Sequence, residues 1–277
     1  MTTASRFGES VPVQTLADGH EIPTLALGVW QTPEGSQTKD AVRWALELGY
    51  RHIDTAQAYG NEESVGEGFR QSGLDRADVF VTTKFYPGSD DPVREIETSL
   101  RRLRLEYVDL YLVHWPQGGA TWAWPGMEQA QSLGYARSIG VSNFDVKELE
   151  QVFAVATSPP VANQINLNPF SYRKQLIEEN RRLNLVTEAY SPLGTGRHLS
   201  NPKVREVADR VGNSPSQVLI RWGLQRDFVV LAKSAHRERI AENAGALGFS
   251  LSDAEMAELD RLDGGSRPGA ALERKWW

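Results

Sequence analysis

Residues 79–114 read VFVTTKFYPGSDDPVREIETSLRRLRLEYVDLYLVH, and the reading of this stretch decides the fold. It opens on a short apolar run, VFVTTK at 79–84, and closes on a second, YVDLYLVH at 107–114. Between them the apolar period changes: Val93, Ile96, Leu100 and Leu103 recur at the three- and four-residue spacing of one helix face. Near-continuous apolar strands joined by a helical crossover imply parallel pairing with both sheet faces covered.

The same alternation runs through the chain. Further apolar runs are TLALG at 24–28, RHID at 51–54, ARSIGVS at 136–142, VANQINL at 161–167, NLVTEAY at 184–190 and DFVVLAK at 227–233. They start roughly 23 to 29 residues apart except before the last, and a helical period returns between them, as at Val146, Leu149 and Val152. Eight strand–helix units fit an α/β fold of the closed (β/α)8 TIM barrel type better than an open doubly wound sheet. VQTLADGHEIP at 13–23, with Asp18-Gly19 between two short runs, predicts an N-terminal β-hairpin ahead of the barrel. The longest interval holds SPLGTGRHLSNP at 191–202 and predicts an extra helix at 203–211. No linker or composition shift divides residues 1–277, so a single domain is expected.

Composition narrows the function. The chain is 40% hydrophobic and 24% charged, with 8 Trp, 8 Tyr and 9 Phe to fill a large core. It has no cysteine, which removes disulfides, thiolate chemistry and Cys-ligated zinc. The first residues carry no apolar leader, and no apolar run approaches the ~20 residues of a membrane span, so a cytoplasmic protein without a membrane partner is expected. A net charge of −6, with Lys and Arg mixed among acids, argues against nucleic acid as a partner. We expect a monomer.

In such a barrel the chemistry sits at the carboxyl ends of the strands. Those ends present Asp54, Lys84 and His114 after the second, third and fourth strands, with Tyr59 in the loop beyond Asp54. Each alone has an ordinary explanation: a capping acid, a snorkelling lysine, a core histidine, a packed tyrosine. Together at one rim they form a proton-transfer set. A free phenol near pKa 10 is a poor acid, and a buried cation favours its ionised form. Lys84 supplies that cation, Asp54 keeps it charged, Tyr59 becomes the general acid, and His114 donates a hydrogen bond from the other side.

These residues lie in motifs that extend the argument. GYRHIDTAQAYGNE at 49–62, TTK at 82–84, DLYLVHWP at 109–116 and IGVSNF at 139–144 resemble the aldo-keto reductase superfamily, most closely its bacterial members that include the 2,5-diketogluconate reductases. The resemblance runs from about Gln14 to Asp263. It implies that Asp54, Tyr59, Lys84 and His114 are a catalytic tetrad, that small carbonyl compounds are the substrates, and that NADPH lies across the barrel mouth. No G-x-G-x-x-G joins a strand to a helix, since Gly66-Glu67-Gly68 falls within an apparent helix and lacks the third glycine. By resemblance, Ser142, Asn143 and Gln164 hold the nicotinamide carboxamide and Tyr190 stacks on its ring, with Ser191 and Leu193 in the same stretch also toward the cofactor. Lys233, Ser234 and Arg239 match ligands of the 2′-phosphate, and Glu242 and Asn243 match adenine contacts. Two positions depart from the pattern: Ala232 stands where the family often has proline, and Asn168 where it has histidine.

Trp30, Tyr86 and Trp115 follow strand ends one, three and four and are expected to wall a substrate pocket for uncharged carbonyls. The loop at 117–126 is short, and the tail after Asp263 ends in Trp276 and Trp277, able to fold over the pocket or to stay disordered. Two other readings compete. An NADPH-binding redox sensor or binding subunit with little turnover would not need all four tetrad groups. A metal-dependent hydrolase using His52, Asp54 and His114 lacks further ligands and would set its cation against Lys84, so no metal is expected.

Overall fold

The computed structural model describes residues 5–8, 11–88 and 91–263, so the tail containing Trp276 and Trp277 lies outside the described residues. Two short strands, β1 (Val13–Thr15) and β2 (Glu21–Pro23), pair antiparallel as the expected hairpin. Its turn closes with Gly19 at φ 88, a left-handed conformation suited to glycine. Eight strands then form the barrel: β3 (Leu25–Gly28), β4 (His52–Asp54), β5 (Phe80–Phe85), β6 (Val108–Val113), β7 (Ala136–Ser142), β8 (Ala162–Asn166), β9 (Val186–Tyr190) and β10 (Val229–Lys233). The order is β10-β3-β4-β5-β6-β7-β8-β9, every pair parallel, and the sheet closes on itself.

The crossovers are α1 (Ser36–Glu47), α2 (Glu62–Ser72), α3 (Pro92–Leu103), α4 (Trp124–Ser132), α5 (Val146–Val155) and α6 (Lys174–Arg182), followed by α7 (Pro202–Val211), α8 (Pro215–Gln225), α9 (Arg237–Ala244) and α10 (Asp253–Asp260). Local sequence sets their starts. Asp91 accepts from the backbone of Val93 and Arg94 ahead of Pro92, while Asp145 with Glu148 and Ser214 with Gln217 form reciprocal capping boxes. The extra helix expected at 203–211 is α7, and α8, which follows it, is the crossover into β10.

Period-two alternation sorts the strand residues. Leu27, Ile53, Val81, Tyr111 and Ile139 face the helices, whereas Ala26, Phe80, Leu110, Leu112, Ala162 and Leu231 meet inside the barrel. The hairpin covers the amino-terminal end of that inner core with Leu16 and Ile22, and Phe7 packs on Phe80 with ring centroids 6.4 Å apart. Arg6 and Arg76 each hold the buried Asp109 at 2.6 Å, which ties the N-terminal segment to β6. One end of the barrel is therefore sealed, and polar side chains occupy the other.

Gly66 and Gly68 have a packing explanation. Helix α2 runs so close to its neighbours that a Cβ on Gly66 would meet the Leu103 carbonyl and one on Gly68 the Lys39 carbonyl. Gly66→Ala should destabilise the fold by about 1–3 kcal/mol or more, while the exposed Gln71→Ala stays within about 0.5 kcal/mol. Urea unfolding of the two variants checks the contrast.

Candidate active site

Asp54 ends β4, in register with Gly28 of β3 and Thr82 of β5. The alternation that turns Asp54 inward also turns Lys84 inward two residues beyond Thr82. Lys84 has no exposure to solvent. Its ammonium donates to Asp54 Oδ1 at 2.7 Å, to the Thr55 carbonyl at 2.8 Å and to the Tyr59 hydroxyl at 3.3 Å, which places all three protons. Tyr59 closes a 3-10 turn, Gln57–Tyr59, that ends at Gly60 with φ 65. Asn61 secures this loop: its amide donates to the carbonyls of Val29 and Thr32, and its oxygen accepts from Thr55 Oγ1. His114 follows β6 and meets the Tyr59 ring edge-on with centroids 5.6 Å apart.

Burial depresses the Lys84 pKa, but Asp54, with smaller help from Tyr59 and Glu188, more than restores it, so the lysine titrates above its ordinary 10.5. Burial and then Lys84 hold His114 well below 6.5, leaving the imidazole neutral at pH 7. Tyr59 corrects the expectation of a lowered phenol. Although Tyr59 is partly exposed, burial raises its pKa above 10, and the opposing pull of Lys84 does not fully offset this.

A second polar layer lies beside the tetrad. Gln164 Nε2 on β8 donates to Asp54 Oδ2 at 2.8 Å and to Glu188 Oε2 on β9 at 3.1 Å. Glu188 is fully buried, and burial together with Asp54 pushes its carboxyl up to about 8. His52 is also fully buried, with Nδ1 3.2 Å from the Pro23 carbonyl and Nε2 3.0 Å from Thr82 Oγ1, and burial pushes it down to about 4. The ring is thus committed to the barrel wall. No group of three His, Asp or Glu placed to hold a metal ion occurs among the described residues. Sequence reasoning passed over Glu188, although an acid inside the apolar run NLVTEAY carries the same signal as Asp54 inside RHID.

Asp54, Tyr59 and His114 line a cavity of about 1800 Å³ at the carboxyl ends of the strands. Trp30 and Trp115 line it as expected. Tyr86 is not among its lining residues; its ring stands edge-on to His114 with centroids 6.4 Å apart.

Ser142, Asn143, Gln164, Tyr190, Ser191, Leu193, Lys233, Ser234, Arg239, Glu242 and Asn243 all line the same cavity. Tyr190 donates its hydroxyl to Asn143 Oδ1 at 2.9 Å, and Asn143 Nδ2 reaches the His114 carbonyl at 3.1 Å. That chain fixes the Tyr190 ring at the cavity wall. Ser142 Oγ donates to the backbone carbonyl of Gln164 at 2.9 Å. Glu242 accepts from Ser216 Oγ at 2.6 Å, and Ser234 Oγ accepts the His236 amide at 3.1 Å as the chain enters α9. Lys233 and Arg239 make no ion pair among the described residues, so two cations on the cavity wall are available to an anionic group. Among the described residues, four of the seven non-glycine residues at positive φ, Gln31, Asn143, Ser191 and Thr195, also line it. Backbone strain is concentrated where the mouth is shaped. Unpaired cations at one end, a tethered aromatic ring and amide groups at the other suit a dinucleotide with a phosphate-bearing tail.

Residues 24–264 match the Aldo/keto reductase family. The chain is 42% identical to morphine 6-dehydrogenase of Pseudomonas putida, over 93% of each chain, and 43% identical to an aldo-keto reductase of Mycolicibacterium vanbaalenii, over 96% of each. Its fold is similar to the crystal structure of an aldo/keto reductase from Brucella melitensis, with a TM-score of 0.88 and 38% identity over 91% of this chain and 98% of that one.

The raised carboxyl of Glu188 carries a stability signature. Between its ordinary value near 4.5 and about 8, the folded protein keeps a proton that the unfolded chain releases, so this group's contribution to stability is lost as pH rises through that window. Glu188→Gln has no proton to lose. The melting temperature of Glu188→Gln minus that of wild type should therefore climb from pH 5 to pH 8, and a difference independent of pH would contradict the assignment.

Proposed function

The chain belongs to the aldo/keto reductase family, and on that premise we propose that it reduces small aldehydes and ketones to alcohols with NADPH, Tyr59 giving the proton. Bound in the cavity, the nicotinamide supplies the hydride. The observation that carries the reading is the Lys84 ammonium, held by Asp54 at 2.7 Å, reaching the Tyr59 hydroxyl at 3.3 Å on the wall of an open cavity.

The residues divide the work by charge. With a pKa above 10 the Tyr59 phenol is fully protonated at neutral pH, so the proton is always loaded. As negative charge grows on the carbonyl oxygen, that oxygen becomes more basic than a phenolate and draws the proton from Tyr59. Lys84 stabilises the phenolate left behind, and Asp54 keeps Lys84 cationic in a place where burial alone would discharge it. Neutral His114 offers a ring N–H to the same oxygen. Trp30 and Trp115 present flat apolar faces, which favours uncharged carbonyl compounds over carboxylates.

Ser142, Asn143 and Gln164 would hold the carboxamide, Tyr190 the nicotinamide ring, and Ser191 and Leu193 the stretch beyond it. Lys233, Ser234 and Arg239 would meet the 2′-phosphate, with Glu242 and Asn243 toward the adenine. A phosphate near two negative charges gains charge-assisted hydrogen bonds from Lys233 and Arg239 that NADH leaves unused.

Tyr59→Phe should lower kcat by about 10²- to 10⁴-fold, while the Kd for NADPH, read from quenching of tryptophan fluorescence, changes less than about threefold because the lost group gives little to ground-state binding. A variant with wild-type kcat would remove the acid assignment. Arg239→Ala should raise the Kd for NADPH about ten-fold or more and leave that for NADH nearly unchanged. Equal weakening of both would place the phosphate elsewhere.

A further inference from the structure

None of these roles uses Glu188, a carboxyl sealed in the middle of the barrel. It lies on β9 two residues before Tyr190, and its register partner on β8 is Gln164. The Gln164 amide nitrogen has two protons, and both are spent on carboxyl oxygens, one on Asp54 at 2.8 Å and one on Glu188 at 3.1 Å. Gln164 lines the cavity, and with both amide protons directed to carboxyls inside the barrel, the amide oxygen is the polar atom it has left to offer there. With the Asp54 bond alone, the amide plane could pivot about it and turn an N–H into the cavity. The second bond fixes the plane.

We propose that Glu188 is a positioning residue which, acting through Gln164, presents an acceptor oxygen and no donor to the cavity, and so selects a ligand group that offers an N–H there, the carboxamide of a nicotinamide. This rests on the reading that NADPH binds in the cavity. The surroundings suit an uncharged acid. Asp54 already takes the Lys84 ammonium, and His52, neutral near pH 7, stands with Nε2 4.0 Å from Glu188 Oε1. Oε1 has no hydrogen-bond partner among the described residues, while Oε2 accepts from Gln164. A protonated carboxyl keeps one acceptor oxygen for the amide and adds no second negative charge beside Asp54. Glutamine reproduces that pattern and methionine does not.

The test compares equilibrium binding of NADPH with that of its reduced 3-acetylpyridine analogue, in which a methyl group replaces the carboxamide nitrogen. One lost hydrogen bond should make wild type favour NADPH by about ten-fold. Glu188→Gln should keep that ratio. Glu188→Met and Gln164→Leu should each bring it near one, and the double variant should go no further, since both remove the same contact. Melting temperatures are measured alongside, and if Glu188→Met does not fold, Glu188→Val is read in its place with the same expectation. A folded Glu188→Met that keeps the wild-type ratio would overturn the proposal, as would a Glu188→Gln ratio near one. Failure of wild type to bind NADPH at all would overturn the cofactor reading, and this inference with it.

Discussion

A lysine ammonium with no contact with water is held in this barrel by a single carboxylate, and the site is built around that constraint. Moving such a charge out of water costs several kcal/mol, and the cost is met only where geometry is good and every proton is placed. Strands β4 and β5 are neighbours with Asp54 opposite Thr82, so Lys84, two residues on, lies on the same face diagonally across the ladder and reaches Asp54. The remaining two protons go to Thr55 and Tyr59. The hairpin and Phe7 close the far end of the barrel with apolar side chains, and Asp54, Tyr59 and His114 stand at the open end.

Charge in the interior stays balanced because the second carboxyl gives up its own. Asp54 and Glu188 share Gln164 between them, and one cation cannot compensate two anions at that depth. Burial instead keeps Glu188 protonated near neutrality and His52 uncharged. The result is a neutral support for one ion pair. Above it the mouth is shaped by backbone in the left-handed region at Gln31, Asn143, Ser191 and Thr195, so rigidity below is matched by imposed geometry at the rim.

Much of this was legible in the sequence because two periods, two and about 3.6, alternate so regularly that eight strands and their crossovers fall close to where they are read. Strand β5 differs from the run VFVTTK by one residue at each end. Other features escaped for physical reasons. Whether Tyr86 reaches the cavity depends on where a short loop turns after β5, which period cannot show. The Tyr59 pKa depends on the balance between enclosure and one cation, and a list of residue types gives only the second. Glu188 was visible as an acid in an apolar strand, but its partner lies on the adjacent strand, 24 residues away in sequence, and only the closed ladder brings the two together. Gly66 and Gly68, set aside in the sequence as no dinucleotide loop, serve helix packing, a role that only the closeness of the neighbouring backbone reveals.

The claim at the centre is that Asp54 does most to keep Lys84 charged. Selective isotope labelling of lysine, with the Lys84 side-chain carbon next to the ammonium followed by NMR through alkaline pH, reports that charge directly. Wild-type Lys84 should titrate above 10.5, and in Asp54→Asn, where burial acts without its main opponent, the midpoint should fall below 10.5. A lysine that titrates at the same pH in both proteins, or below 10.5 in the wild type, would contradict the account.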